Sequence, residues 1–494
     1  MTVTDDRREG TRSPRLWPLW AAISLAVAHL VSSCASPTTP TTTPVPTAAI
    51  LTISGNALLS GVGQTSQLTA TTSAGVVVTS GLEWQTGAVS VATVSASGLV
   101  TATGSGTTTI TATTTAPLAG GHVTVFVGQP GAPTTTISAC QTIQKSGPYV
   151  LGNDLSQTGG SCLQLVSVGA VQLDCRGHTV SGLSLSTVNT ITISNCSVTG
   201  TVTMTNAANV TVTNGTLAAG LVVTSGTSVV VQSTTITATQ LPVTVTNGTN
   251  VQLLQDTIKS GSGPEAILLS HGSNNQVLQT TITGGYDDGP AEDGTDDGIM
   301  LTNETGDTIM GDTISGFFDT AVEGIGFVSN VTVASNAFSN IGTAALGAYY
   351  CTNWTNNVIR GNAVQQAPSL LLVEDEGGAF CTTPPPVFSG NQFIGNQFRS
   401  PITGVQGSPG AAPRMVVIFV PGTATGNLIQ NNDFGTNDGP LLEPLTAFTD
   451  GGGNICGPLN PSLSNFVCTG SSTTAAHVSS DPHGLLRRPP RFPQ

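Results

Sequence analysis

The chain has 494 residues, of which 38% are apolar and only 8% charged, a composition that can build a core and excludes a disordered chain. Its net charge is -14 and several of its thirteen Lys and Arg fall in the first segment and the tail, so no basic face remains and nucleic acid is excluded as a partner. Thr, Ser, Asn and Gly supply the polar surface instead; these residues rarely build water-facing helices, and the expected class is all-β.

At the N-terminus Arg7, Arg8, Arg12 and Arg15 precede the apolar run "LWPLWAAISLAVAHLV" and then "SSC" ending at Cys34, the charged, apolar, small-residue order of a secretory signal. "LVSSC" resembles the lipobox of bacterial lipoproteins, which implies that Cys34 is lipidated and starts the mature chain; an ordinary signal peptide is the alternative. Residues 1–34 are thus expected to be a signal peptide and 35–47, "ASPTTPTTTPVPT", a Pro/Thr linker that holds a folded body off a membrane. No later stretch is long and apolar enough to span a bilayer. The expected product is a monomer exported to a bacterial membrane or cell surface and touching the membrane only through its lipid. With Cys34 set aside, eight of the nine cysteines remain, an even number for an exported chain. Cys351 with Cys381 and Cys456 with Cys468 would close local loops.

Between residues 48 and 127, short alternating runs broken by Gly and Ser predict a small antiparallel sandwich. "VGQTSQLTA", Trp84, "VATVSASGLVTATGSGTTTITAT" and "VTVFV" resemble the bacterial immunoglobulin-like group 2 domain, which implies a spacer or adhesive module with Trp84 in its core. Residues 128–136, "GQPGAPTTT", read as a linker.

From 137 to 470 a weak repeat runs. "NTITISNCSV", "NVTVTNGTL", "SVVVQSTTI", "NVQLLQDTI", "NQVLQTTI" and "GDTIMGDTI" end at Val198, Leu217, Ile236, Ile258, Ile282 and Ile314, and the series continues to Phe338, Val364, Phe398 and Phe434. Each unit is too small to bury its own apolar face, so neighbours must stack. Asp256, Asp312, Asn336, Asn362, Asn396 and Asn432 stand two places before these apolar ends and predict a ladder of side-chain carboxylates and amides. The opening "SGPYVLGNDL" and "VQLDCRGHTVSG", with these units, resembles the right-handed parallel β-helix proteins of the pectin-lyase-like superfamily. That resemblance implies a solenoid with one coil per unit, and with it two disulfides between adjacent coils, Cys140 to Cys162 and Cys175 to Cys196. The tail, 471–494, is expected to be disordered.

"GGYDDGPAEDGTDDGIML", residues 284–301, gathers Asp287, Asp288, Glu292, Asp293, Asp296 and Asp297 in a unit longer than its neighbours, and is expected to be a loop on one face of the solenoid. Strand starts at Glu265, Asp297, Asp319, Thr343 and Ser369 would stack the first three as carboxylates, which repel unless one is protonated or a cation lies between them. Asp296, Asp297 and Asp319, with Glu323 in reserve, are the catalytic candidates. Asp287, Asp288 and Asp293 are the candidate ligands of a calcium ion, and Tyr286, Tyr349, Tyr350 and Trp354 the candidate sugar platforms. Glu374, Asp375 and Glu376 extend the acidic face. A solvated surface without ligand explains the same acids.

Hydrolases of the superfamily carry Asn-Thr-Asp, then an Asp pair, Gly-His-Gly and Arg-Ile-Lys. Here "GTDD" at 294–297 lacks the Asn, Asp319 stands alone, Ile325 replaces the His of "GIG", and Arg-Ile-Lys is absent, so pectin hydrolysis is not implied. A lyase base would have to come from Lys145, Lys259 or Arg360; His178 reads as a turn residue and His271 ends a strand. Binding of a polysaccharide or surface glycan is the leading expectation. A polysaccharide hydrolase or lyase is the enzymatic alternative, and a structural stalk or adhesin the third.

Overall fold

The computed structural model describes residues 49–471 except 56, 60, 73–76, 116–117, 129–133, 286–294, 349–351, 374–385, 399–413, 419–422, 435–446 and 457–467. Cys34, Tyr286, Asp287, Asp288, Glu292, Asp293, Tyr349, Tyr350, Cys351, Glu374, Asp375, Glu376 and Cys381 lie outside the described residues. So do the side chains of Cys456 and Cys468.

The first module is a sandwich. One sheet runs Thr69–Thr72, Ala49–Ser54, Leu118–Val127, Gly106–Thr115 and Leu82–Thr86, with Leu58–Leu59 also on Leu118–Val127; the other joins Thr65–Gln67, Leu99–Ala102 and Ala92–Val94. Leu51, Ile53, Val100, Ile110 and Val125 form its core and Trp84 packs against them, as expected of alternating strands that bury every second side chain.

From Thr135 onward the strands pair in parallel into three long sheets of 14, 15 and 10 strands, the geometry of a parallel β-helix. In the 10-stranded sheet Val198, Leu217, Ile236, Ile258, Ile282, Ile314, Phe338, Val364 and Phe398 pair one with the next, all of them buried. The apolar ends of the repeat units therefore form one continuous column. Neighbouring coils bury what no single coil can, and their backbone groups are satisfied by the coil on either side.

Buried side chains stitch the corners. Asp312 accepts from the N–H of Thr280, Asn336 from Asp312, Asn362 from Asn336, Asn396 from Asn362, Asn432 from Asn396 and Asn454 from Asn432, at 2.7–3.1 Å. A second ladder at another corner contains Asn357, Asn391 and Asn427. At the N-terminal end Cys140 is bonded to Cys162 and Cys175 to Cys196, with Cα atoms 4.6 and 4.8 Å apart, which is the spacing of adjacent coils.

Candidate functional site

Three adjacent strands of the 15-stranded sheet, Gly263–Ser270, Thr295–Thr305 and Thr320–Ser329, build the site. Ile267, Ile299, Val322, Leu346 and Leu371 pair in a row and face the core. The residue just before each of four of them, Ala266, Ala321, Ala345 and Leu370, is in the core as well. Successive strand residues normally point to opposite faces, so two consecutive inward residues mark a corner in the coil. At the corresponding position Gly298 packs closely: a Cβ there would lie 2.5 Å from the Ala321 carbonyl oxygen and 2.8 Å from Ile314. The outward residues on the two sides of the corner then lean toward one another, and they are acidic.

Glu265 pairs with Asp297, as the alignment of strand starts required. The next position in that row belongs to Thr320 and not to Asp319: the Thr320 N–H and hydroxyl both donate to Asp297 Oδ1, at 3.0 and 2.6 Å. Asp319 is one residue out of the row, its N–H donating to the Asp296 carbonyl, and the following row member is Ala344 in place of Thr343. The expected three-carboxylate stack is thus corrected to a two-carboxylate stack with Asp319 beside it. Glu323 comes from beyond the corner. One carboxylate oxygen each from Asp297, Asp319 and Glu323 lie within 4.8 Å of one another. Asp297 and Glu323 are each 4% exposed, whereas Asp319 and Asp296 are half-buried.

Crowding of like charge away from water favours the protonated acid. Burial, then the negative charge of Asp319, pushes Asp297 up to about 8, against hydrogen bonds from Glu323 and Thr320 that pull it down. Burial and the Asp296 charge raise Glu265 to about 7. The cluster therefore holds protons at neutral pH, and its three oxygens are close enough to share one cation, whose oxygen ligands sit about 2.3–2.6 Å from it.

Trp354 is a correction. It lies in Asn353–Thr355, is 2% exposed and stacks on Phe388 with ring centroids 6.4 Å apart, so its ring faces the core and offers no platform to a sugar. His178 is the turn residue expected, with Nδ1 3.1 Å from Asp154.

A feature with no periodic signature lies at the other end of the same three strands. Pairing runs from Thr302 with Ile325 to Glu304 with Val328, so Gly326 and Phe327 together oppose Asn303 in a bulge. Gly326 has φ +72°, and a Cβ there would meet Asn303 Oδ1 at 2.4 Å. The Phe327 N–H donates to Asn303 Oδ1 at 3.1 Å, Asn303 Nδ2 donates to His271 Nε2 at 3.1 Å, and His271 Nδ1 donates to Ser270 Oγ at 2.7 Å. Asp297 was visible in the sequence as one of a dense acidic run; Phe327 lies in "GIGFVSN", where only the paired glycines hint at irregular backbone.

Residues 202–434 match the family described as right handed beta helix region, and residues 49–125 match the bacterial Ig-like domain (group 2). No curated protein sequence matches the chain. Among solved structures, the Dettilon tailspike protein is similar at 13% identity over 63% of this chain, with a TM-score of 0.36, and the match spans 62% of the tailspike's own length. The periplasmic alginate epimerase AlgG is similar at 9% identity over 60% of this chain and 77% of its own, with a TM-score of 0.43. The DFA-IIIase of Arthrobacter chlorophenolicus is similar at 11% identity over 63% of this chain and 86% of its own, with a TM-score of 0.36. With its three parallel sheets and these two family matches, the chain is a right-handed parallel β-helix protein that carries a bacterial Ig-like domain of group 2 ahead of the helix.

Proposed function

We propose that the protein binds a polysaccharide across the outward corner of its β-helix and hydrolyses it with the carboxyl groups of Asp297, Asp319 and Glu323. The observation that carries this reading is their convergence, one oxygen from each within 4.8 Å of the others. Glycoside hydrolysis needs one carboxyl group that keeps its proton and a second that does not, and a burial-raised acid beside a charged neighbour is such a pair. Asp297 is the proton donor to the leaving oxygen. Asp319, the more exposed member, is the carboxylate that attacks the anomeric carbon. Glu323 holds Asp297 by their hydrogen bond. Water then cleaves the glycosyl ester on Asp319 with Asp297 taking its proton, and the two successive displacements return a product with its anomeric configuration retained. The test is release of reducing ends from plant, algal and bacterial polysaccharides, with loss of product in Asp297→Asn and Asp319→Asn.

A second reading rests on the same oxygens acting as ligands. A calcium ion between Asp297, Asp319 and Glu323, supported by Asp287, Asp288 and Asp293, would make the corner a binding site without chemistry. Glycan retention that a chelator abolishes, with no new reducing ends, would select it.

Two disulfides and a bacterial Ig-like domain fit an extracytoplasmic protein, since disulfides persist in oxidising compartments. In this reading Cys34 carries the lipid that anchors it, and Cys34→Ser releases the protein from the membrane fraction.

A further inference from the structure

We infer that Phe327 is the platform of a sugar-binding subsite, so that the substrate is an extended glycan lying along the strands from the acidic corner to the bulge. This rests on the reading of the corner as a polysaccharide site. It adds a second contact region that the acids do not supply.

Phe327 is 67% exposed and is the one aromatic ring among the exposed large apolar side chains of the described residues. An isolated exposed apolar side chain is ordinary. This one sits where strand Thr320–Ser329 passes from Ala344–Ala348 to Asn353–Thr355 as its neighbour, and the turn there fixes its backbone. The bulge adds a residue to its strand, Gly326 takes a left-handed conformation that a Cβ would block, and the Asn303 amide fixes the Phe327 backbone while His271 and Ser270 fix the amide. Bulges re-aim side chains, and here the result is a ring carried on a fixed backbone and presented to solvent. The face of a phenyl ring is electron-rich and attracts the C–H face of a pyranose.

The placement matches the corner. Phe327 follows Glu323 by four positions on one strand, at most about 13 Å at roughly 3.3 Å per residue and less through the turn at Gly326, which puts the ring within reach of an oligosaccharide held at the corner. Between the two ends, half-exposed Ser270 and Thr302 are paired neighbours whose hydroxyls can meet those of a sugar.

The experiment is affinity electrophoresis of the full chain through gels containing plant, algal or bacterial polysaccharides, comparing the wild type with Phe327→Ala and Phe327→Trp, alongside assays of reducing ends. Retardation of the wild type, weakened about tenfold in Phe327→Ala and restored in Phe327→Trp, is the expected result, tenfold being about 1.4 kcal/mol. Equal retardation of wild type and Phe327→Ala overturns the platform, as does a wild type that no glycan retards. Phe327-dependent retardation without reducing ends leaves the platform standing and removes hydrolysis. Reducing ends released with the same KM by wild type and Phe327→Ala leave hydrolysis standing and remove the platform.

Discussion

The backbone N–H of Asp312 donates to the side-chain oxygen of Asn336 across 2.9 Å, while Asp312 itself accepts from Thr280 at 2.7 Å. The two residues occupy successive positions of one ladder but differ in what they can offer. The Asn336 amide also donates, to the Ile309 carbonyl and to Asn362 Oδ1, whereas Asp312 Oδ2 is buried without a partner.

Burial accordingly pushes Asp312 well above its ordinary 3.8 and Asp256 up to about 8; burial with the Glu304 carboxyl beside it raises Asp307 to about 9. A carboxyl whose folded pKa is raised contributes stability that is present below its unfolded pKa and is lost as pH rises through the folded value. The thermal midpoint is therefore expected to fall between about pH 4 and pH 9, followed by circular dichroism at a series of pH values. A midpoint that rises over this range would contradict the protonated ladder.

Asp312→Asn restores the missing donor, which in this register can reach the Val277 carbonyl, the partner of Ile309 in the coil before. At pH 8 the variant is expected to be more stable than the wild type by about 1–3 kcal/mol, the cost of a buried unsatisfied polar group, with little gain at pH 4. Denaturation midpoints at the two pH values measure it.

Trp354→Ala removes a core ring that packs on Phe388 and should destabilise the coils by about 3–5 kcal/mol. Glycan retardation under native conditions should survive it. A selective loss of retardation with unchanged melting would return Trp354 to the binding surface.

Cys175→Ala opens a link between residues 21 apart, and loops of that size stabilise by about 3 kcal/mol. The first coils should melt earlier in this variant, and wild type treated with reductant should follow it. Coincident melting of variant and untreated wild type would show that the link adds nothing.

The repeat was legible because one coil's apolar end must meet the next: Ile282 and Ile314 are paired and buried despite a sequence separation of 32. Glu265 and Asp297 were legible for the same reason. The row failed at Asp319, because the inward pairs Ala266–Ile267, Gly298–Ile299 and Ala321–Val322 set the register, and the residue just before the third pair is Thr320. Trp354 misled because aromatic residues near acids look alike in sequence whether they face the core or solvent. Phe327 was missed because a bulge has no period.

The ladder also has a direction. The N–H of Asn396 needs Asn432, and that of Asn432 needs Asn454. Each coil of the ladder is thus completed by its successor, and a chain that emerges N-terminus first presents an unfinished rim as a template for what arrives next. Past Asn454 the strand Cys468–Ser471 lies along Asn454–Cys456. A chain cut short between these strands would keep its rim open to a second molecule, so the same bonds that propagate folding within one chain would begin end-to-end polymerisation between two.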